Sequence, residues 1–346
     1  MKTKVYYFED IKEEVLDEAA AVIRQGGTVI FPTETVYGLG ANALDEKSVS
    51  RIFEAKGRPS DNPLIVHISN YDMLLYCIGE PLSEKAQKLI AHFWPGPLTI
   101  IFKKSKAIPD EVTAGLDTVA IRMPDDPIAL KLIDKSGVPI AAPSANISGK
   151  PSPTAPEHVI KDMEGKVDII LCSKDTRVGV ESTVIDITGD IPTILRPGGA
   201  TLEELKKVLG EVQIDKGILD PGTIPKSPGM KYTHYAPKAP MTIVRGDYNM
   251  VMEKILELAG KDKERGLKVG ILTVDENINY YNGFVTLSMG SKEDTAEAAH
   301  NLFNTLREFD KLMVDIIYAE AVSEEHLGLA VMNRMKKAAG FNIIEV

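Results

Sequence analysis

Thr28-Val29-Ile30-Phe31-Pro32-Thr33-Glu34-Thr35-Val36-Tyr37-Gly38-Leu39-Gly40 is the stretch on which the fold turns. Thr28 to Phe31 predicts a buried strand. Pro32 ends it because proline has no amide to donate to a sheet, so Thr33, Glu34 and Thr35 arrive at a strand end where polar side chains can face a ligand. Gly38-Leu39-Gly40-Ala41-Asn42-Ala43 then satisfies the letters of the Gly-x-Gly-x-x-Gly/Ala dinucleotide pattern. Six residues separate it from Phe31, however, and the next helix begins only after Asp45. A pyrophosphate-binding turn must leave its strand at once and open a helix, so nicotinamide binding is not expected.

On the N-terminal side, Asp10 and Glu13 have capping-box spacing, and Ile11, Val15, Ala19, Val22 and Ile23 form one helix face that Gly26 and Gly27 terminate. On the C-terminal side, Val49, Ile52 and Phe53 mark a helix ending near Gly57. It opens into Lys56-Gly57-Arg58-Pro59-Ser60-Asp61-Asn62-Pro63, where two cations and two rigid prolines suit an anion-binding loop, although exposed cation pairs are commonly just solvated. In the strand Leu64 to Ile68, alternation sets His67 opposite Leu64, Val66 and Ile68. Trp94-Pro95-Gly96-Pro97 turns into a strand from Leu98 to Phe102. Val119 to Met123 is another strand, whose Arg122 is costly to bury unless an acid or an anionic ligand pairs with it. Asp126-Pro127 caps a helix that runs to Gly137. Ile140-Ala141-Ala142 hands Pro143-Ser144-Ala145-Asn146 to a loop. Strands Val167 to Leu171 and Val184 to Ile187 follow, the latter after Glu181-Ser182-Thr183, and Leu202, Leu205 and Leu209 mark a helix.

At 346 residues, two domains are expected. Residues 1–210 form the larger one. Residues 211–240 lose periodicity and carry several prolines, which predicts a linker, though its segment Lys231 to Pro237 is too aromatic for an inert spacer. From residue 241 strands and helices alternate: Met241 to Val244, a helix near Asn249 to Ala259, Val269 to Val274, Phe284 to Leu287, a long helix with Ala296, Ala299, Leu302, Phe303, Leu306 and Phe309 inward, and Val314 to Tyr318. That order predicts a smaller Rossmann-like α/β domain in three layers with a mostly parallel sheet.

A net charge of −10 opposes indiscriminate nucleic-acid binding through overall electrostatics. No apolar run is long enough for a membrane span and the first ten residues do not read as a signal peptide, so a cytoplasmic location is expected. Cys77 and Cys172 lie far apart and read as buried thiols. No Gly-x-x-x-x-Gly-Lys-Ser/Thr loop is present, Ser144 lacks a nucleophile elbow, and the histidines show no metal-ligand spacing. Residue chemistry alone therefore leads to an anion-handling α/β enzyme, with a sequence-tolerant RNA-binding module as a rival.

The strings Pro32 to Leu39, Lys56-Gly57-Arg58-Pro59 with Asn62-Pro63-Leu64, Trp94 to Pro97, Pro143 to Asn146, Glu181-Ser182-Thr183 and Leu195-Arg196-Pro197-Gly198 resemble, in that order, the YrdC-like family. Lys231 to Pro237 is similar to the linker of its long, two-domain members, which make threonylcarbamoyl-AMP. The resemblance implies a twisted, open mixed α/β sheet with a large cavity in which L-threonine and ATP lie side by side and react with bicarbonate. It implies Thr35, His67, Arg122, Ala142 and Ser182 around threonine. Lys56, Arg58, Asn62, Thr118, Ser144, Asn146, Ser152 and Arg196 would hold ATP, with Lys56 and Arg58 catalytic through charge on the phosphates. Tyr232 and Tyr235 would fold the linker across the nucleotide as a lid. Mg²⁺ is expected through the ATP phosphates with no protein metal site, no organic cofactor is expected, and the product would pass to the machinery that transfers threonylcarbamoyl to tRNA, with weak direct tRNA contact. A carbamoyl-adenylate-forming enzyme is the nearest alternative, though the chain lacks the zinc-finger-like cysteines expected beside such a domain.

Overall fold

A computed structural model describes residues 2–173, 176–219 and 235–346. Tyr232 and half of the expected linker, residues 220–234, lie outside the described residues. The described chain falls into two compact units, one comprising residues up to 148 with 152–219, the other 149–151 with 235–346.

The larger unit is built on an eleven-stranded mixed sheet. Its strands are β1 (Lys4–Tyr6), β2 (Val29–Phe31), β3 (Gly38–Asn42), β4 (Ile65–His67), β5 (Leu98–Lys103), β6 (Thr118–Arg122), β7 (Ile140–Ala141), β8 (Ile169–Leu171), β9 (Thr183–Asp186), β10 (Thr193–Arg196) and β11 (Gln213–Ile214). They lie in the order β1-β8-β2-β3-β7-β4-β6-β5-β9-β10-β11. The Gly-x-Gly segment is itself β3, antiparallel to both β2 and β7, which removes it from phosphate binding. A Cβ on Gly40 would stand 2.7 Å from Phe31 and Ile140, so close strand packing explains that glycine.

Period-two alternation divides this sheet into two faces. On one face Val66, Ile100, Ile121 and Ile185 join the main core together with Val49, Ile52, Leu89, Val159 and Leu205 from surrounding helices. On the other, the helices Glu13–Arg24 and Pro127–Ser136 cover one half, burying Leu16, Ile23, Leu132 and Ile133 against Val29, Phe31, Ile140 and Leu171. Each such side chain contributes roughly 1.5–3 kcal/mol on burial. Over β4, β6, β5, β9 and β10 that second face carries only a small apolar cluster, Ile65, Ile101, Ala120, Val184 and Leu195. The residues two positions from these on the same face, among them His67, Thr99, Thr118, Arg122 and Ser182, are polar.

Local signals act largely as expected. Asp126 accepts from the amides of Ile128 and Ala129 at 2.9 and 3.0 Å, and Gly137 closes its helix in the left-handed region. Gly57 does the same for the helix Glu46–Lys56, at φ 61°. The Asp10 capping box does not form. Asp10 closes a short 3-10 turn, Lys12 is the N-cap, and Asp10 therefore lies too far upstream to reach the first free amides. Glu13 instead pairs with Lys131 and Lys135 at 2.8 and 2.9 Å.

The smaller unit carries a five-stranded parallel sheet of β12 (Met241–Arg245), β13 (Val269–Thr273), β14 (Val285–Ser288), β15 (Ile316–Glu320) and β16 (Ile343–Glu345), in the order β14-β13-β15-β12-β16. Helices Tyr248–Glu264, Thr295–Leu312 and Gly328–Ala338 connect or flank the strands. Ala298, rather than Ala296, turns inward with Ala299, Leu302 and Phe303, because the helix starts at Thr295 and its first turn is exposed.

Candidate active site

Residues of the less covered sheet face supply the first group of candidate side chains. Strands β4 and β6 run parallel with His67 opposite Arg122, and both side chains are buried. Arg122 Nε donates to the Gly96 carbonyl at 3.2 Å and its Nη1 donates to Thr35 Oγ1 at 2.9 Å. Its Nη2 stands 2.7 Å from Glu34 Oε1, with both side chains nearly sealed from water at 4% and 2% exposure. The demand that a buried Arg122 be paired is thus met by the acid of the strand-ending segment. A guanidinium has five N–H groups. Although it stands at ion-pair distance from Glu34, Nη2 makes no hydrogen bond among the described residues, which leaves its N–H groups for a carboxylate.

His67 points its Nδ1 toward the Ile65 carbonyl at 3.3 Å. Burial, reinforced by the neighbouring Arg122 charge, pushes its pKa down to about 3, so the ring is neutral at physiological pH. Beyond β6, Thr99 on β5 and Ser182 just before β9 share a hydrogen bond of 2.8 Å. Arg196 donates to the Ser182 carbonyl from Nε and Nη2 at 3.0 and 2.9 Å and to Ser182 Oγ at 3.0 Å. Thr118, the first residue of β6, shares the parity of Ala120 and Arg122 and so belongs to the same face.

A second group surrounds Lys56. Its ammonium is buried and donates to the Asn146 carbonyl at 2.7 Å and, more closely, to the Ser144 carbonyl. Burial, followed by the Arg58 charge, holds its pKa well below the ordinary lysine value, while Asp162 and Glu181 work in the opposite direction. Ser144 Oγ donates to Asn146 Oδ1 at 2.6 Å, which fixes the loop after β7. Arg58 donates to the Asn62 carbonyl at 2.9 Å and lies 5.9 Å over the Phe53 ring. Asn62 is buried with its amide nitrogen unbonded among the described residues. Ser152 donates to Glu181 Oε1 at 2.6 Å. Hydroxyls, amides and fixed cations thus line two linked clusters, an arrangement suited to holding anions and zwitterions rather than to forming a nucleophile–base pair.

A family model described as "Telomere recombination", for the Sua5, YciO and YrdC proteins, matches residues 21–198, and one described as "Threonylcarbamoyl-AMP synthase, C-terminal domain" matches residues 200–340. The chain is 52% identical over 342 residues to the threonylcarbamoyl-AMP synthase of Pyrococcus abyssi, spanning 98% of both chains. It belongs to the threonylcarbamoyl-AMP synthase family. The Bacillus subtilis member is 49% identical over 351 residues, spanning 99% of this chain and all of that one. The Pyrococcus abyssi Sua5 structure complexed with L-threonine superposes with a TM-score of 0.94 at 51% identity, each chain covered in full.

Among the residues expected to form the site of a threonylcarbamoyl-AMP synthase, the structure links Thr35 to Arg122, Ser182 to Arg196, and Lys56 to Ser144 and Asn146 by direct hydrogen bonds. Ala142 lies just beyond β7, its amide donating to Ile65 at 2.9 Å, so it brings backbone rather than side chain. Tyr235 belongs to the smaller unit, where its ring stacks on Phe303 at 5.2 Å and the Arg334 guanidinium lies 5.5 Å over it. Tyr232 lies outside the described residues. Sequence reasoning did not assign Glu34, Thr99 or Glu181 to the site. Glu34 had a usable signal, since a strand-end acid was the simplest partner for a buried Arg122.

Proposed function

We propose that the larger unit joins L-threonine, bicarbonate and ATP into threonylcarbamoyl-AMP and pyrophosphate, with threonine gripped on the sheet face around Arg122. The observation that carries this reading is the buried Arg122 guanidinium, bonded to Thr35 and set across from His67, in a chain so similar to named synthases. The Nη2 N–H groups of Arg122 take the threonine carboxylate, and the hydroxyls of Thr35 and Ser182 take its polar ends. Neutral His67 can accept from or donate to the substrate without adding charge.

The threonine amine attacks the carbon of bicarbonate and water is lost, giving a carbamate. A carbamate oxygen attacks the α-phosphorus of ATP, the bond to the bridging oxygen breaks, and pyrophosphate leaves with its electron pair. Arg58 and Lys56 stabilise charge on the phosphates, and Asn62, Thr118, Ser144, Asn146, Ser152 and Arg196 position the nucleotide. Mg²⁺, a cation that commonly shares its shell with phosphates and water, would neutralise charge on the triphosphate. The product then serves threonylcarbamoylation of tRNA in the cytoplasm. No described helix is long and apolar enough to cross a membrane.

The test is a reaction with labelled threonine and ATP labelled at the α-phosphate. Both labels should enter one product, with pyrophosphate released only when bicarbonate is present, and Arg58→Ala should lose this product while remaining folded. Label from threonine alone, or pyrophosphate independent of threonine, refutes the reading.

A further inference from the structure

The smaller unit contains a cavity of about 580 Å³ that the synthase chemistry does not use. Its position follows from the strand order. From β12 the chain crosses to β13 on one side of β15, and from β15 it crosses to β16 on the opposite side of β12. Neighbouring strands β15 and β12 therefore send their connections in opposite directions, which opens a crevice at their carboxyl ends, the place where open parallel sheets hold ligands. The cavity lies there, lined by the strand-end residues Arg245, Val274, Glu320 and Glu345.

Its chemistry selects a charge. The wall holds two cations, Arg245 and Lys292, against four carboxylates, Glu293, Glu320, Glu324 and Glu345. Arg245 is already paired with Glu345 at 2.7 Å and stands 4.0 Å from Glu324. Glu320 is only 5% exposed, yet no cation among the described residues stands within ion-pair distance of it. It accepts from Asn277 Nδ2 at 3.0 and 3.1 Å and from the Tyr281 hydroxyl, all neutral donors. Asn277 is itself held, because its Oδ1 accepts from the Tyr248 hydroxyl at 2.5 Å, and Tyr248 carries the Lys292 ammonium 3.7 Å from its ring centroid. A carboxylate buried on neutral partners is costly and is relieved by an incoming positive charge. Burial accordingly raises its pKa. The same wall also carries the apolar side chains of Val251, Val274 and Met332. A phosphate or other anion would meet four carboxylates and is disfavoured.

We propose that this crevice is a second small-molecule site, which takes a ligand with a protonated amine on an apolar body, the ammonium resting on Glu320. Free amines and α-amino acids share that group, and the test separates them.

The full-length protein, labelled at its Met and Val methyl groups, would be titrated with phenethylamine (ammonium only), L-phenylalanine (zwitterion) and 3-phenylpropionate (anion) while the Met332, Val251 and Val274 signals are followed by NMR. Saturable shifts with phenethylamine support an amine site, saturable shifts with L-phenylalanine alone support an amino-acid site, and both require 3-phenylpropionate to leave these signals unmoved. Glu320→Gln, a neutral isostere, should weaken binding by about tenfold or more. Ala321→Leu, which fills the cavity without altering charge, should abolish it and decides the matter if the first variant is poorly folded. Binding of 3-phenylpropionate as tight as that of the amines, amine binding unchanged in both variants, or no saturable shift with any probe overturns the proposal.

Discussion

Replacing Glu34 by Gln removes the negative partner of Arg122 at constant shape. At the 2.7 Å separation of this pair, an effective dielectric of about 20 gives a Coulomb attraction of about 6 kcal/mol. Desolvation of the two ions offsets part of that, and Arg122 keeps its bonds to Thr35 and Gly96. The expected net loss is about 3 kcal/mol, at the lower end of what breaking a buried pair costs. Arg122→Met strands Glu34 and should cost a similar amount. The double variant strands no charge and should lose far less than the sum, a coupling of about 2 kcal/mol or more. Trp94 is the single tryptophan and lies in the larger unit, so its fluorescence during urea denaturation follows that unit alone. Each single variant should lower the midpoint by about 1 M. Two single losses within about 0.5 kcal/mol of zero, adding simply in the double variant, would refute the assignment of a buried, mutually dependent pair.

Stability should fall on acidification because of His67. Its folded pKa of about 3 lies below the ordinary 6.5, so between those values the unfolded chain binds a proton that the folded chain refuses. Urea midpoints should therefore drop with a contribution near 1.4 kcal/mol per pH unit below about pH 6.5, and His67→Asn should remove that contribution. Lys56→Met should cut threonine-dependent pyrophosphate release by about 100-fold or more, measured under saturating ATP, because the loop bearing Ser144 and Asn146 loses its tie as well as its charge. Cys77 and Cys172 are buried free thiols whose pKa values burial raises to about 12 and about 11, so iodoacetamide at pH 8 should label neither until denaturant is added, as mass spectrometry would record.

Much of this fold is legible because its signals are local. The apolar run to Phe31 with its proline stop, the Asp126-Pro127 cap and the Gly57 ending each depend on residues within one turn or strand. Alternation alone placed His67 on the face opposite Val66, where it is found. What escaped is non-local. The three-residue strands β1 and β16 gain their order from pairing with β8 and β12, 165 and 100 residues away, and leave little periodicity in the sequence. The Asp10 box failed because a preceding 3-10 turn moved the helix start, and spacing alone does not report that competition. The site divided in the same way. Residue types and family strings pointed to Arg122, Lys56 and Ser182, whereas the contacts of Glu34 and Thr99 depend on a sheet order that no single stretch encodes.

Calorimetric titration of L-threonine into the wild type and into the folded double variant Glu34→Gln/Arg122→Met probes the sheet face itself. Saturable one-to-one binding to the wild type, lost or weakened by about 100-fold when the guanidinium is gone, is the result expected if that group holds the amino acid. Equal affinity in the two proteins would mean that threonine is held elsewhere, and the placement of the reaction on this face would be wrong.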